Sequence, residues 1–234
     1  MIPNKQNNSL IQFSLEFTEE QKKAREVCHK NVVTILTGKP GTSKSTIAAS
    51  VALELINRKE KPTSKDYRNV GKYDKIIITR PTVTVGKSMG FLPGDMAEKL
   101  SPYTTPILNV IDELIKGSEN SYSQTLIEKG KIEIIPIQFM RGHTFKNCVV
   151  ILDEGQNADL EDFKVISSRL GYQSKLIVTS DWRQIDLFDR KKSASQWLDK
   201  IYHLDGVGTF ELTENFRHPL AVKIMDILLE SSNK

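Results

Sequence analysis

The segment GKPGTSKS, residues 38–45, constrains this chain more than any other feature. It follows the apolar run NVVTIL, which begins at Asn31 and reads as a buried strand, and it precedes a helical pattern over 44–58. Strand, glycine-rich turn, Lys-Ser and helix together are nearly the phosphate-binding pattern G-x-x-x-x-G-K-[ST]. Such a loop lets successive backbone N–H groups wrap phosphate oxygens at the positive end of a helix dipole. In that reading Lys44 reaches the β- and γ-phosphates of a nucleotide, and the Ser45 hydroxyl ligates Mg²⁺. The nucleotide-binding candidates are therefore Gly38, Lys39, Pro40, Gly41, Thr42, Ser43, Lys44, Ser45 and Thr46. One position departs from the pattern: Ser43 stands where glycine is usual. If its backbone must take a positive φ, serine costs about 1–2 kcal/mol there. The plain alternative, a chance glycine-lysine turn, is disfavoured by the strand and helix on either side.

A second motif strengthens the first. VVILDEGQN, residues 149–157, is an apolar strand ending in two acids. In an open α/β sheet a strand delivers such residues to its carboxyl edge, where ligands collect. Asp153 is then placed to hold Mg²⁺, directly or through water, and Glu154 to accept a proton from attacking water. Either acid alone could be an ordinary loop cap. Both motifs in this order point to Mg²⁺-dependent hydrolysis of a nucleoside triphosphate.

Further strand candidates begin at Lys75 (KIIIT), Ile132 (IEIIPI), Cys148 (CVVIL), Lys175 (KLIVT) and Thr209 (TFELT). Helical patterns lie at 18–31, where Thr18 and Gln21 form a capping-box pair, and at 160–170 and 193–202. Residues 59–74 read as an exposed loop. Strands separated by helices imply one doubly wound α/β domain, with a mostly parallel sheet covered on both faces. A length of 234 residues suits a single domain. We place it at 18–234, after a loose segment at 1–17. A net charge of +4 with 38% apolar residues excludes wholesale disorder. The longest apolar runs are too short to cross a bilayer, and the first residues lack the apolar stretch of a secretory signal. The cytoplasm is the expected location, with Cys28 and Cys148 as buried free thiols. The four histidines have no ligand spacing, so no transition metal is expected.

The DEGQN box resembles the Asp-Glu-x-Gln box of superfamily 1 helicases, and more closely that of the PhoH-like ATPase family. The similarity runs on through IIITRPTVTVGKSMGFLPGD from Ile76, PYTTPILNVI from Pro102 and IEKGKIEIIPIQFMRGHTFKN from Ile127. SKLIVTSDWRQIDL from Ser174 and ENFRHPLAVKI from Glu214 complete it, over roughly 18–229. The resemblance implies a RecA-like ATPase using ATP and Mg²⁺. It implies roles for single residues as well: Gln21 as a reader of adenine, and Gln156 and Gln184 as sensors of the γ-phosphate or holders of water. Asp181 resembles a sensor at a strand end, and Arg217 an arginine that neutralises charge developing on the γ-phosphate. From the residues alone, Gln21 is the capping-box glutamine; the plain alternatives are surface polar groups for Gln156 and Gln184 and a helix cap for Arg217. The family usually has glycine at position 43 and alanine at position 155.

Single-stranded RNA or DNA is the partner that the resemblance implies. Arg80, Lys87, Arg141 and His143 are expected in loops on the strand-end face, with Phe139, Phe145 and Trp182 as candidates for base stacking. A chain with length for one RecA-like core further implies a homo-oligomer, plausibly a hexameric ring, in which Arg217 acts either across a subunit boundary or, as in the related two-core helicases, within its own chain. Two rivals remain: a nucleotide-gated binding module with little turnover, and a P-loop kinase.

Overall fold

The computed structural model describes residues 13–57, 73–81, 96–115, 121–181, 185, 193, 198 and 200–232. Helix α1 (Glu19–Lys30) starts at the expected capping box: Thr18 accepts from the Gln21 backbone N–H, and the Gln21 side chain accepts from that of Thr18. Strand β1 (Val33–Gly38) leads into the glycine-rich loop and helix α2 (Lys44–Ile56). Nearly every residue of α2 from Ile47 onward is buried, so this helix is the centre of one core. There follow β2 (Lys75–Thr79), α3 (Met96–Leu114), α4 (Tyr122–Glu128), β3 (Ile132–Ile134) and β4 (Cys148–Leu152). The chain continues through α5 (Leu160–Arg169), β5 (Ser174–Ser180), β6 (Val207–Leu212) and α6 (Pro219–Ser232).

The six strands lie in the order β3-β2-β4-β5-β1-β6, and every pairing is parallel. Side chains alternate between faces. Leu36, Ile76, Ile78, Val149, Ile151 and Ile177 pack with buried residues of α1, α2 and α3. Ile35, Ile77, Val150, Leu152, Leu176 and Val178 face the other way, onto Ile166 of α5 and Ile137. The described residues thus form an α/β fold whose parallel sheet is covered by helices on both faces, as expected. Uniform polarity has one consequence for the site: all strand carboxyl ends emerge along one edge.

Two expectations need correction, and helix α3 was not read from the sequence at all. In that helix Ile107, Ile111 and Leu114 fall at i, i+4 and i+7 and are all buried. The strand from Ile132 ends at Ile134, since Pro136 has no N–H to continue a ladder, and Ile137–Phe139 form a short 3₁₀ turn. Residues 13–17, expected to be loose, carry Phe13, Leu15 and Phe17 packed on the α2 core. The Arg25 guanidinium lies 5.2 Å from the centre of the Phe13 ring and 4.2 Å from that of Phe17. It also pairs with Glu54 at 2.6 Å, tying this stretch to α1 and α2. Of the expected exposed loop at 59–74, residues 59–72 lie outside the described residues and Tyr73 is buried; most of the expected helix at 193–202 also lies outside them. Both cysteines are buried, and burial pushes each thiol up to about 12, so neither is a reactive thiolate near neutral pH.

Candidate nucleotide site

The carboxyl ends of four strands, β1, β4, β5 and β6, build one cleft of about 340 Å³, lined by loop residues Pro40, Gly41, Ser43, Lys44, Ser45 and Thr46, together with Glu154, Asp181 and Arg217. The first turn of α2 has neither a side-chain cap nor an acidic residue. Its orphan N–H groups and positive dipole end therefore face the cleft, the arrangement that suits an anion. Ser43 is left-handed, at φ 67° and ψ 19°, so the strain foreseen for a serine at this position is present. Its hydroxyl accepts from the Gln21 side-chain amide at 3.1 Å. Gln21 is buried, with its carbonyl in the capping box and its amide on the loop. The capping role is thus real, with a second role of supporting the loop. The Lys44 ammonium donates to the carbonyls of Gly38 at 2.7 Å and Lys39 at 2.9 Å.

The acids stand where parallel register delivers them. Leu152 of β4 pairs with Thr79 of β2 and with Val178 of β5, so Asp153 emerges between Arg80 and Thr179. Asp153 Oδ1 accepts from Ser45 Oγ at 2.9 Å and from Thr179 Oγ1 at 2.6 Å. A hydroxyl and a carboxylate converging at the mouth of a phosphate loop are the hard oxygen donors that Mg²⁺ prefers, and the group fits these residues. No cluster of three or more His, Cys, Asp or Glu exists among the described residues, so water and phosphate oxygens would complete the shell.

Glu154 is also left-handed, at φ 53° and ψ 44°. Strain of this kind, here at two adjoining positions of one cleft, collects at functional sites. Gln156 holds the Glu154 carboxylate from below, its Nε2 donating to Oε2 at 2.5 Å. The Gln156 carbonyl accepts from the Asp181 N–H at 3.0 Å and the Ser180 hydroxyl at 3.3 Å. Gln156 is thus buried, not the surface group that its polarity alone suggested. Gly155 has a packing reason: a Cβ there would stand 2.6 Å from Val178 Cγ1.

Arg217 reaches the cleft of its own chain. The turn after β6 is fastened to the phosphate loop by Asn215 Nδ2 donating to Pro40 O at 2.7 Å and the Phe216 N–H donating to Gly41 O at 3.0 Å. Lys39 pairs with Asp226 of α6 at 2.7 Å. Gly41, at φ 84°, allows the Arg217 stem to lie on the loop, where a Cβ would be 2.6 Å from its Cγ. Within one chain, Arg217 therefore lines the cleft built by its own loop.

The nucleic-acid candidates are not brought together. Arg80 sits against the acids, 3.8 Å from Asp153 and 3.6 Å from Glu154. Arg141 and His143 are exposed but do not line the cleft. Their segment runs toward Phe145, which bridges Leu170 ahead of β5 and so lies near the amino ends of the strands. Phe145 is core and has His143 stacked on it, with ring centres 6.2 Å apart, whereas Phe139 is 54% exposed. Lys87, Trp182 and Gln184 lie outside the described residues. Thr179 was missed by sequence reasoning; its signal was its place beside the acid-bearing strand, legible only once strand order is known.

Loop, acids and parallel sheet define a nucleotide-binding fold of the P-loop type. The chain belongs to the PhoH-like protein family, whose sequence model matches residues 15–229. It is 35% identical over 219 residues to a PhoH-like protein of Synechocystis, an overlap covering 92% of this chain and 62% of that protein. To the PhoH-like protein of Bacillus subtilis it is 38% identical over 192 residues, covering 81% and 56%. The chain thus spans roughly three fifths of the length of these relatives. Among solved structures it is similar to Bacteroides Pif1 bound to single-stranded DNA, with a TM-score of 0.44 and 16% identity over 92% of this chain and 46% of that one. No helix among the described residues is long and apolar enough to cross a membrane.

Proposed function

We propose that this chain binds ATP with Mg²⁺ and hydrolyses it to ADP and phosphate. The observation that carries this reading is the 2.9 Å hydrogen bond joining Ser45 of the loop to Asp153, with Glu154 one residue on. The loop N–H groups hold the phosphate chain, and Lys44 exchanges its two carbonyl partners for β- and γ-phosphate oxygens. Ser45 and Asp153 would hold Mg²⁺, which would supply neutralising charge to those oxygens. Glu154, fixed by Gln156, takes a proton from water as its oxygen attacks the γ-phosphorus and the bond to the β-phosphate oxygen breaks. Arg217, over Gly41, offsets charge developing on the γ-phosphate. Glu154→Gln is the test. Single-turnover phosphate release should slow by about 10²–10⁴-fold, while binding of Mg-ATP persists. An unchanged rate would remove Glu154 from the role of base.

The strain at Ser43 favours the nucleotide-gated binding module as a second reading; little phosphate released in a single turnover by the unaltered protein would select it. The family likeness supports coupling of turnover to single-stranded RNA or DNA in a homo-oligomer such as a hexameric ring, in the cytoplasm. Exposed Phe139, near Arg141 and His143, supports contact with bases. The exposed stripe of Leu220, Ile224, Ile227 and Leu228 on α6 supports assembly. Phosphate release with and without each polymer, and mass by light scattering, test these two extensions.

A further inference from the structure

Asp153 and Glu154 each divide their two carboxylate oxygens between two kinds of partner. The inner oxygens are held by the scaffold: Asp153 Oδ1 by Ser45 and Thr179, and Glu154 Oε2 by Gln156. The outer oxygens, Asp153 Oδ2 and Glu154 Oε1, face the two terminal nitrogens of Arg80 at 3.8 and 3.6 Å. One planar guanidinium thus spans two neighbouring carboxylates, a reach that the rigid fork of arginine has and the point charge of lysine lacks. The backbone leaves little choice in the matter. Arg80 follows β2 as Asp153 follows β4, the strands pair with Thr79 opposite Leu152, and the Asp153 N–H donates to Thr79 O at 2.9 Å.

Two adjacent carboxylates, with Asp153 largely removed from water, repel one another unless a cation stands between them. The geometry points to Arg80 as a built-in counter-ion for the acid pair, one that yields when Mg²⁺ arrives with nucleotide. It therefore sets the Mg²⁺ concentration at which the site loads. This inference rests on the Mg²⁺-nucleotide reading above. It makes Arg80 a positioning residue of the cleft instead of a contact for nucleic acid.

The test is a Mg²⁺ titration of the whole chain with a non-hydrolysable ATP analogue, read by analogue binding and by the rise in melting temperature. Arg80→Gln should lower the half-saturating Mg²⁺ concentration by about three- to tenfold, the effect expected from removing a partly exposed ion pair. Without Mg²⁺ the same variant should melt below the unaltered protein, and Mg²⁺ should recover most of that loss. Arg80→Lys, which keeps a charge but not the fork, should fall between the two. If Arg80→Gln does not fold, a lowered Mg²⁺ requirement in Arg80→Lys supports the inference, and an unchanged one overturns it. A Mg²⁺ requirement that stays the same or rises in Arg80→Gln, in a protein whose analogue binding does depend on Mg²⁺, overturns the Arg80 role and leaves the nucleotide reading intact. Ser45→Ala serves as the reference: if the unaltered protein and this variant bind the analogue alike at every Mg²⁺ concentration, the Mg²⁺-nucleotide reading itself fails, and the Arg80 role with it.

Discussion

Two lysines of this domain make the same kind of bond at opposite edges of the sheet. Lys44, at the carboxyl edge, donates to the carbonyls of Gly38 and Lys39. Lys175, at the amino end of β5, is only 2% exposed and donates to the carbonyls of Cys28 at 2.6 Å and His29 at 3.4 Å, and closely to that of Asn31. The surroundings decide what each cation does. Lys175 is buried and donates to fixed carbonyls at the negative end of α1. It staples helix to sheet. Lys44 has neutral carbonyls beside an open cleft, and phosphate oxygens with full charge can replace them. A buried cation is thus a strut where its partners are fixed and a working part where they can be exchanged.

Arg217 extends the working edge and carries the largest expected effect. Removal of an arginine that neutralises the γ-phosphate should slow turnover by about 10³–10⁵-fold. Because its stem lies on its own Gly41, mixing Arg217→Ala subunits with Glu154→Gln subunits should leave phosphate release at the level of the separate variants. Recovered activity in the mixture would show that the arginine crosses to a neighbour after all.

The lysine pair itself comes next. Lys44→Ala should weaken ATP binding or turnover by about 10- to 100-fold, the loss of a charge-assisted contact, with the melting temperature little changed. Lys175→Met should do the reverse. It strands carbonyls at the end of α1 and should lower stability by about 2–4 kcal/mol, read by urea denaturation, while the folded fraction binds nucleotide normally. A Lys175→Met protein of full stability would break the comparison, since it would show the staple to be dispensable.

How far the sequence revealed these parts depends on whether the signal was local. The loop at 38–45 and the acids at 153 and 154 declare themselves through spacing along the chain, and the strands through short β-branched runs. Helix α3 was not read at all, although Ile107, Ile111 and Leu114 keep a helical period within it. What joins distant segments was beyond a linear reading. Arg80 meets the acids because β2 and β4 are neighbours, and Thr179 meets Asp153 because β5 lies between β4 and β1. Gln156 looked like a surface residue because its partners, Ser180 and Asp181, are supplied by another strand. The place of Arg217 beside its own loop showed only once Asn215 and Phe216 were seen to fasten the turn to Pro40 and Gly41.

The smallest effect is expected at Ser43, where the loop departs from its pattern. Replacement by glycine relieves a left-handed serine, a gain of about 1–2 kcal/mol. It also removes the hydrogen bond from Gln21, worth about 0.5–1.5 kcal/mol, and loosens the unfolded chain at a cost of about 0.4–1 kcal/mol. These contributions nearly cancel, so Ser43→Gly should shift stability by no more than about 1 kcal/mol in either direction. The cancellation is itself testable through a double-mutant cycle with Gln21→Ala. That substitution alone should destabilise by more than it does in the Ser43→Gly background, because only in the former case does the amide lose a partner on the loop. A coupling of about 0.5–1.5 kcal/mol would mean that Gln21 makes the strained serine tolerable. Strict additivity, with Ser43→Gly more stable by about 2 kcal/mol, would mean that the loop bears its strain uncompensated, and that the contact between α1 and the loop contributes nothing to holding it.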